Sequence, residues 1–206
     1  QSLKINYNGN LQFKNLWWIG SFMDIVPKGN DFYEPRVNGR VFKSPAYNNF
    51  GVFFESNDAK KYSVEFVAMM GSIHLFNAKE FFTEFSQNMR FNNKFSIEHL
   101  LSLNPITNNA GFANSNSDNG QDGVYDNNTI LFGRRNRMTV ENRLRFKYSF
   151  NNKMFVTMRI RHYLGTVSYK EFYTLNTEGG LDKIAGGNTP VNQYIAANQN
   201  FNNNYN

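Results

Sequence analysis

The chain has 206 residues, of which 40% are hydrophobic, 17% aromatic and only 18% charged, with a formal net charge of +6. No stretch approaches the ~18 consecutive apolar residues of a membrane-crossing helix, which excludes a helical integral membrane protein. The absence of cysteine excludes a disulfide scaffold and any Cys-ligated metal, and the length suits one undivided sandwich or barrel domain of ~200–250 residues.

Apolar residues stand singly among polar ones, so period two dominates. Leu3, Ile5, Tyr7, Leu11 and Phe13 alternate with Ser2, Lys4, Asn6, Asn8, Asn10, Gln12 and Lys14. A short turn at Asn15 then leads into a strand about Trp17 to Ile25. A further strand is expected near Phe50 to Ser56, a turn at Asn57 to Lys60, and a strand from about Tyr62 to Met70.

The motif FNNK occurs twice, in RFNNKFSI at 90–97 and in SFNNKMFV at 149–156. Asn side chains bond nearby backbone and tolerate left-handed conformations, so both copies read as hairpin tips. At the first tip an even-sum register sets Phe91 opposite Phe95 and puts Glu84, Ser86, Asn88 and Arg90 on one face with Ser96, Glu98 and Ser102.

Around the second tip, Met138, Val140, Leu144, Phe146, Tyr148 and Phe150 share a face that only Asn142 interrupts. Arg137, Thr139, Glu141, Arg143, Arg145, Lys147 and Ser149 take the other. Met154, Val156, Met158, Ile160 and Leu164 continue the apolar face, with Thr157, Arg159, Arg161 and Tyr163 opposite. The same rule sets Phe150 against Met154 and Arg145 against Arg159. A one-residue slip would turn every Arg toward the apolar side.

Eight strands result. Their connections alternate between short turns near residues 15, 58, 93 and 152 and longer segments at about 27–48, 72–79, 105–128 and 165–206. Short turns at one end and long loops at the other, with strands of ~9–11 residues or more, are the pattern of a transmembrane antiparallel up-and-down β-barrel. Phe13, Trp17, Trp18, Phe91 and Phe150 beside the short turns would form an interfacial girdle. The competing reading is a soluble sandwich or lipocalin-like barrel, which gives no reason for the loop asymmetry or for closely spaced basic residues on paired strands. Counting crossings puts both chain ends on the long-loop side. At least one further strand is therefore expected before Gln1 and another after Asn206, making residues 1–206 one barrel domain incomplete at both ends.

GNDFYEPR at 29–36, FGRRNRMTVEN at 132–142, RHY at 161–163 and EFYTLN at 171–176 resemble the barrel portion of a Bacteroidota outer-membrane family. Its members carry a carbohydrate-binding family 9-like domain ahead of an uncharacterised C-terminal barrel. The resemblance runs over nearly the whole chain and is most specific at FGRR-x3-TVEN. It implies location in a bacterial outer membrane and glycan handling at the cell surface, and it transfers no catalytic residue.

The basic face of Arg143, Arg145, Lys147, Arg159 and Arg161, with Arg134, Arg135 and Arg137 at its loop end, is the strongest local feature. Like charges opposite one another destabilise a strand pair. Either Glu84, Glu98 and Glu141 compensate them in a salt-bridge network, or the face is a cationic lumen selecting anions or acidic saccharides. Asp31 and Glu34 beside Arg36 could flank a glycosidic bond as two carboxylates, though turn capping or an Arg36 ion pair accounts for them as well. DNGQDG at 118–123 is a poor match to a calcium loop, because Gly120 and Thr129 stand at ligand positions.

His74, His99 and His162 are scattered and fall on apolar faces, with no Ser set beside His162 for a phospholipase-type pair. Aromatic and basic residues occupy opposite faces, which excludes a nucleic-acid stacking platform. The expected partners are the lipid bilayer, lipopolysaccharide, saccharides or other outer-membrane proteins. No enzyme activity, metal or cofactor is expected. A pore or transport component and a non-conducting structural or binding barrel remain as the two functional readings.

Overall fold

The computed structural model describes residues 3–115 and 129–184. Within them lie β1 (Ile5–Gln12), β2 (Trp18–Val26), β3 (Gly29–Asp31), β4 (Phe42–Ser44), β5 (Tyr47–Glu55), β6 (Tyr62–Ile73), β7 (Ala78–Arg90), β8 (Phe95–Ser115), β9 (Ile130–Asn151), β10 (Met154–Leu175) and β11 (Leu181–Lys183). One antiparallel sheet runs in the order β1-β2-β5-β6-β7-β8-β9-β10-β11, and β3 pairs with β4 in a separate small hairpin. The eight expected strands are β1, β2 and β5 to β10. The three added elements have three residues each.

Four short turns close by one device. Asn15 Oδ1 accepts the Trp17 N–H, Asn57 Oδ1 that of Ala59, Asn92 Oδ1 those of Lys94 and Phe95, and Asn151 Oδ1 that of Lys153. A side-chain carbonyl thus replaces a backbone acceptor at every tip. The two FNNK copies nonetheless differ. At the first, the Phe91 N–H donates to the Phe95 carbonyl and the two rings stack at 5.2 Å, as the even register requires. At the second, Met154 pairs with Asn151, not Phe150, and a register shift between Met154 and Phe155 restores the even sum, so that Arg145 does face Arg159.

Two expected long loops are partly strand. β8 continues through Ser115 and β10 through Leu175, giving strands of 21 and 22 residues where connections at 105–128 and 165–206 were expected. Register shifts between Ile106 and Asn109 on β8, and between Tyr169 and Glu171 on β10, insert an extra residue and move the face by one. A period-two reading therefore loses phase at points where the ladder itself continues. Asn108, at φ 55, is held from both sides: its Oδ1 accepts from Arg134 and from Lys170, and its N–H donates to Asn136.

The closed barrel is not found among the described residues. β1 pairs only with β2, and the far edge of β10 carries only β11, bonded from Tyr173 to Leu175. The architecture is an open antiparallel meander. Across it the register keeps an apolar face continuous, from Ile5 and Leu11 through Ile19, Phe50, Phe66, Phe81, Phe95, Leu144 and Phe146 to Met158 and Ile160. Much of that face is bare, with Met70 70% and Ile160 50% exposed.

The hydrophobic core lies elsewhere, at the long-loop end. Phe42, Ile130, Phe132, Tyr173 and Leu175 bury one another there, with Val37, Leu75, Phe76, Phe112 and Leu181 packed around them. The segment between β2 and β5 folds over the upper ends of β8 to β10 as a cap. Arg40 donates to the carbonyls of Leu175 and Asn176, and the Lys43 N–H donates to Gly179 at 2.8 Å. Gly179, at φ +86, would place a Cβ 2.8 Å from the Val41 carbonyl oxygen, so this backbone-to-backbone docking requires glycine.

Candidate functional site

The polar face of the sheet carries the basic cluster. Arg143 pairs across β9 and β10 with Arg161, and Arg145 with Arg159. Four guanidinium groups are therefore set side by side, which like-charge repulsion opposes unless acids or a ligand intervene. Two acids do. Glu98 on β8, directly opposite Arg145, accepts from its Nη1 at 3.1 Å, and Glu141 receives Arg161 in a two-point contact at 3.0 and 3.2 Å. Among the described residues neither Arg143 nor Arg159 forms an ion pair. Lys147 lies over the Phe155 ring at 5.9 Å.

The salt-bridge network expected of this cluster is thus present for Arg145 and Arg161, while Arg143 and Arg159 stand outside it. Glu84, the third expected acid, makes no ion pair. A concavity of about 350 Å3 opens here, lined by Glu65, Ser86, Asn88, Glu98, Arg143, Arg145 and Arg159. The buried Asn88 Oδ1 and Arg145 Nε have no hydrogen-bond partner, and a buried polar atom left unmatched costs ~1–3 kcal/mol. The arrangement can receive an oxyanion between Arg143 and Arg159, with Arg145 Nε as a further donor.

The loop-end arginines do different work. Arg134 pairs with Glu171 at 3.0 Å, and Arg135 donates to the Phe112 carbonyl and the Tyr169 hydroxyl. Glu171 also accepts from Lys183 at 2.7 Å and from the Tyr173 hydroxyl at 2.7 Å. With these donors, Lys183 foremost, its pKa falls to about 2.

Asp31 and Glu34 are both engaged in holding the cap. Asp31 Oδ1 accepts the N–H groups of Tyr33 and Glu34, and Glu34 Oε1 accepts the Phe112 N–H on β8 at 2.9 Å. Arg36 makes no ion pair with them and lies over the Phe112 ring at 4.6 Å. The DNGQDG segment at 118–123 lies outside the described residues. Among the described residues no cluster of three or more metal-ligating side chains occurs.

The aromatic set beside the short turns is largely on the apolar face. Phe91 stacks on Phe95, Phe95 lies 6.4 Å from Tyr148, and Tyr148 meets Phe150 edge-on at 4.9 Å, a chain of rings crossing the β7, β8 and β9 ends. Phe13 and Trp17 are exposed, with Trp17 edge-on to Phe54. Trp18 departs from the set: its register with Gln12 and Glu55 places it on the polar face.

One feature went unread in the sequence. On the apolar face, Tyr62 OH donates to Gln87 Oε1, Gln87 Nε2 bonds His99 Nδ1 at 2.9 Å, and His99 Nε2 bonds Asn142 Oδ1 at 2.9 Å. His162 stands opposite Asn142 on β10. Each of these was a polar residue on an apolar face, and the even-sum register that pairs Phe91 with Phe95 also pairs Gln87 with His99. That arithmetic would have found the row.

These observations define an all-β protein: an open, two-faced antiparallel meander with a basic concavity on its polar face and a packed cap at one end. The chain belongs to the family described as Domain of unknown function (DUF5916), whose pattern covers residues 1–206. No curated protein and no solved structure matches it. The family description names no activity.

Proposed function

We propose that the chain is an outer-membrane β-barrel protein, or a large part of one, whose polar face lines a path for anionic or saccharide solutes. The observation that carries this reading is the opposition of the two sheet faces. Met70, Phe50, Met158 and Ile160 are bare on one, while Arg143, Arg145, Arg159 and Arg161 stand on the other. Hydrocarbon is the medium that suits a broad exposed apolar band whose polar row, Tyr62, Gln87, His99 and Asn142, is hydrogen-bonded within itself, and the rings at the short-turn ends suit its interface. No helix among the described residues is long and apolar enough to cross a membrane, a test that does not bear on strands.

A second reading is a non-conducting binding or structural barrel within an outer-membrane assembly. Among the described residues the outer edge of β1, and that of β10 before Tyr173, carry no partner strand, which favours it, because an edge of that length is a template for strands from another source.

Reconstitution into planar bilayers separates the two. A pore reading expects ionic current with anion preference, and Arg145→Gln with Arg159→Gln should move the reversal potential toward non-selectivity. A folded, inserted protein that passes no current would remove the pore and leave the structural reading.

A further inference from the structure

The cap encloses a second concavity that the sequence did not signal and that lies apart from the arginine cluster. Its volume is about 1020 Å3, at the upper end of the ~300–1,000 Å3 of ligand pockets. Three separated stretches build it: the β3 and β4 hairpin, the residues before β7, and the turn between β10 and β11. Asn30 pairs with Lys43 across the hairpin, and the Lys43 N–H bond to Gly179 fixes the third stretch against it. The walls therefore hold one another through backbone.

The ionisable side chains lining this pocket are Lys28, Lys43 and His74, and no carboxylate lines it among the described residues. None of the three is in an ion pair there. Basic residues around a cavity that no acid lines lower the cost of an anion and raise that of a cation. The aromatic wall adds a second requirement. Phe32 lines the pocket and is 64% exposed.

An inorganic anion has no use for an exposed aromatic face, and an alkyl chain has none for basic groups. A ring bearing hydroxyl groups, C–H faces and an acid uses both, with the Asn30 amide, opposite Lys43 in the hairpin, to meet its hydroxyls. We propose that the cap pocket binds an acidic saccharide, its carboxylate or phosphate groups meeting Lys28, Lys43 and His74 and a sugar face lying on Phe32. The proposal stands independently of whether the sheet conducts.

The test is calorimetric titration of the full chain in detergent with trigalacturonate, with maltotriose as the uncharged counterpart and deacylated lipopolysaccharide core as the membrane-derived acidic sugar. Saturable binding of trigalacturonate or of the core is expected, at least tenfold tighter than maltotriose and weakened by salt; whichever binds more tightly identifies the source. Lys43→Gln and Phe32→Ala should each reduce affinity tenfold or more, and Lys153→Gln, exposed at the short-turn end of the sheet, should leave it unchanged. Equal affinity for maltotriose, indifference to both cap variants, or loss on Lys153→Gln would each overturn the assignment. Circular dichroism of each variant separates lost binding from lost fold.

Discussion

Phe132 and Phe150 sit on the same strand and, by even spacing, on the same face of β9, yet Phe132 is 0% exposed and Phe150 48%. Residue type and secondary structure are identical. The difference is the layer above. At the upper end the cap places Phe42, Val37, Leu75 and Phe76 over the strand, whereas along the lower band no second protein layer covers the face among the described residues. Apolar residues in the cap are held by protein; those in the band await another apolar medium, which the proposed function assigns to lipid.

Phe132→Ala removes a fully buried ring from the cap core, and large-to-small changes of that kind cost ~3–5 kcal/mol. Denaturant midpoints should fall accordingly, and proteolysis should reach the β3 and β4 hairpin sooner; a loss below ~1 kcal/mol would mean that the cap is not a packed core.

Ile160→Arg sharpens the other half. On a lipid-facing strand near the bilayer midplane the change costs ~2–4 kcal/mol, while on a water-exposed face it is close to neutral. Folding yield into phosphatidylcholine vesicles is the measurement, and an undiminished yield would contradict the proposed orientation.

The smallest effect concerns pH and is confined to the cap. Glu171, held at about 2 chiefly by its hydrogen bond from Lys183, stabilises the β10 and β11 junction in its ionised form. Its contribution is complete above the ordinary carboxylate value of 4.5 and is lost as pH falls from there toward about 2. Amide exchange at residues 181–183 should quicken over that window, and Glu171→Gln should remove the pH dependence. The surface setting keeps the effect modest.

Much of the fold was legible in the chain. All eight long strands, the Arg145 to Arg159 pairing and the Phe91 to Phe95 tip follow from period two and from Asn-Asn turns, because alternation and local side-chain-to-backbone bonds are properties of neighbouring residues. Three features were lost at bulges or at distance. The extent of β8 and β10 was hidden where Asn108 and Lys170 shift the face. The second FNNK tip closed through a register shift, and Trp18 turned to the polar side. Of the candidate site, the arginine positions were readable, but which of them Glu98 and Glu141 would neutralise depended on registers between strands far apart in sequence.

What the amino-acid order determined alone is the two-faced ribbon: every second residue points the same way, so a period-two sequence fixes which side chains share a face once a strand forms. Only the tertiary structure decided which part of that face is covered, that no pairing joins β1 to β10 among the described residues, and that Lys28, Lys43 and His74 line one cavity. Those outcomes rest on contacts between segments that no local pattern links, such as Arg40 with Leu175 and Lys43 with Gly179.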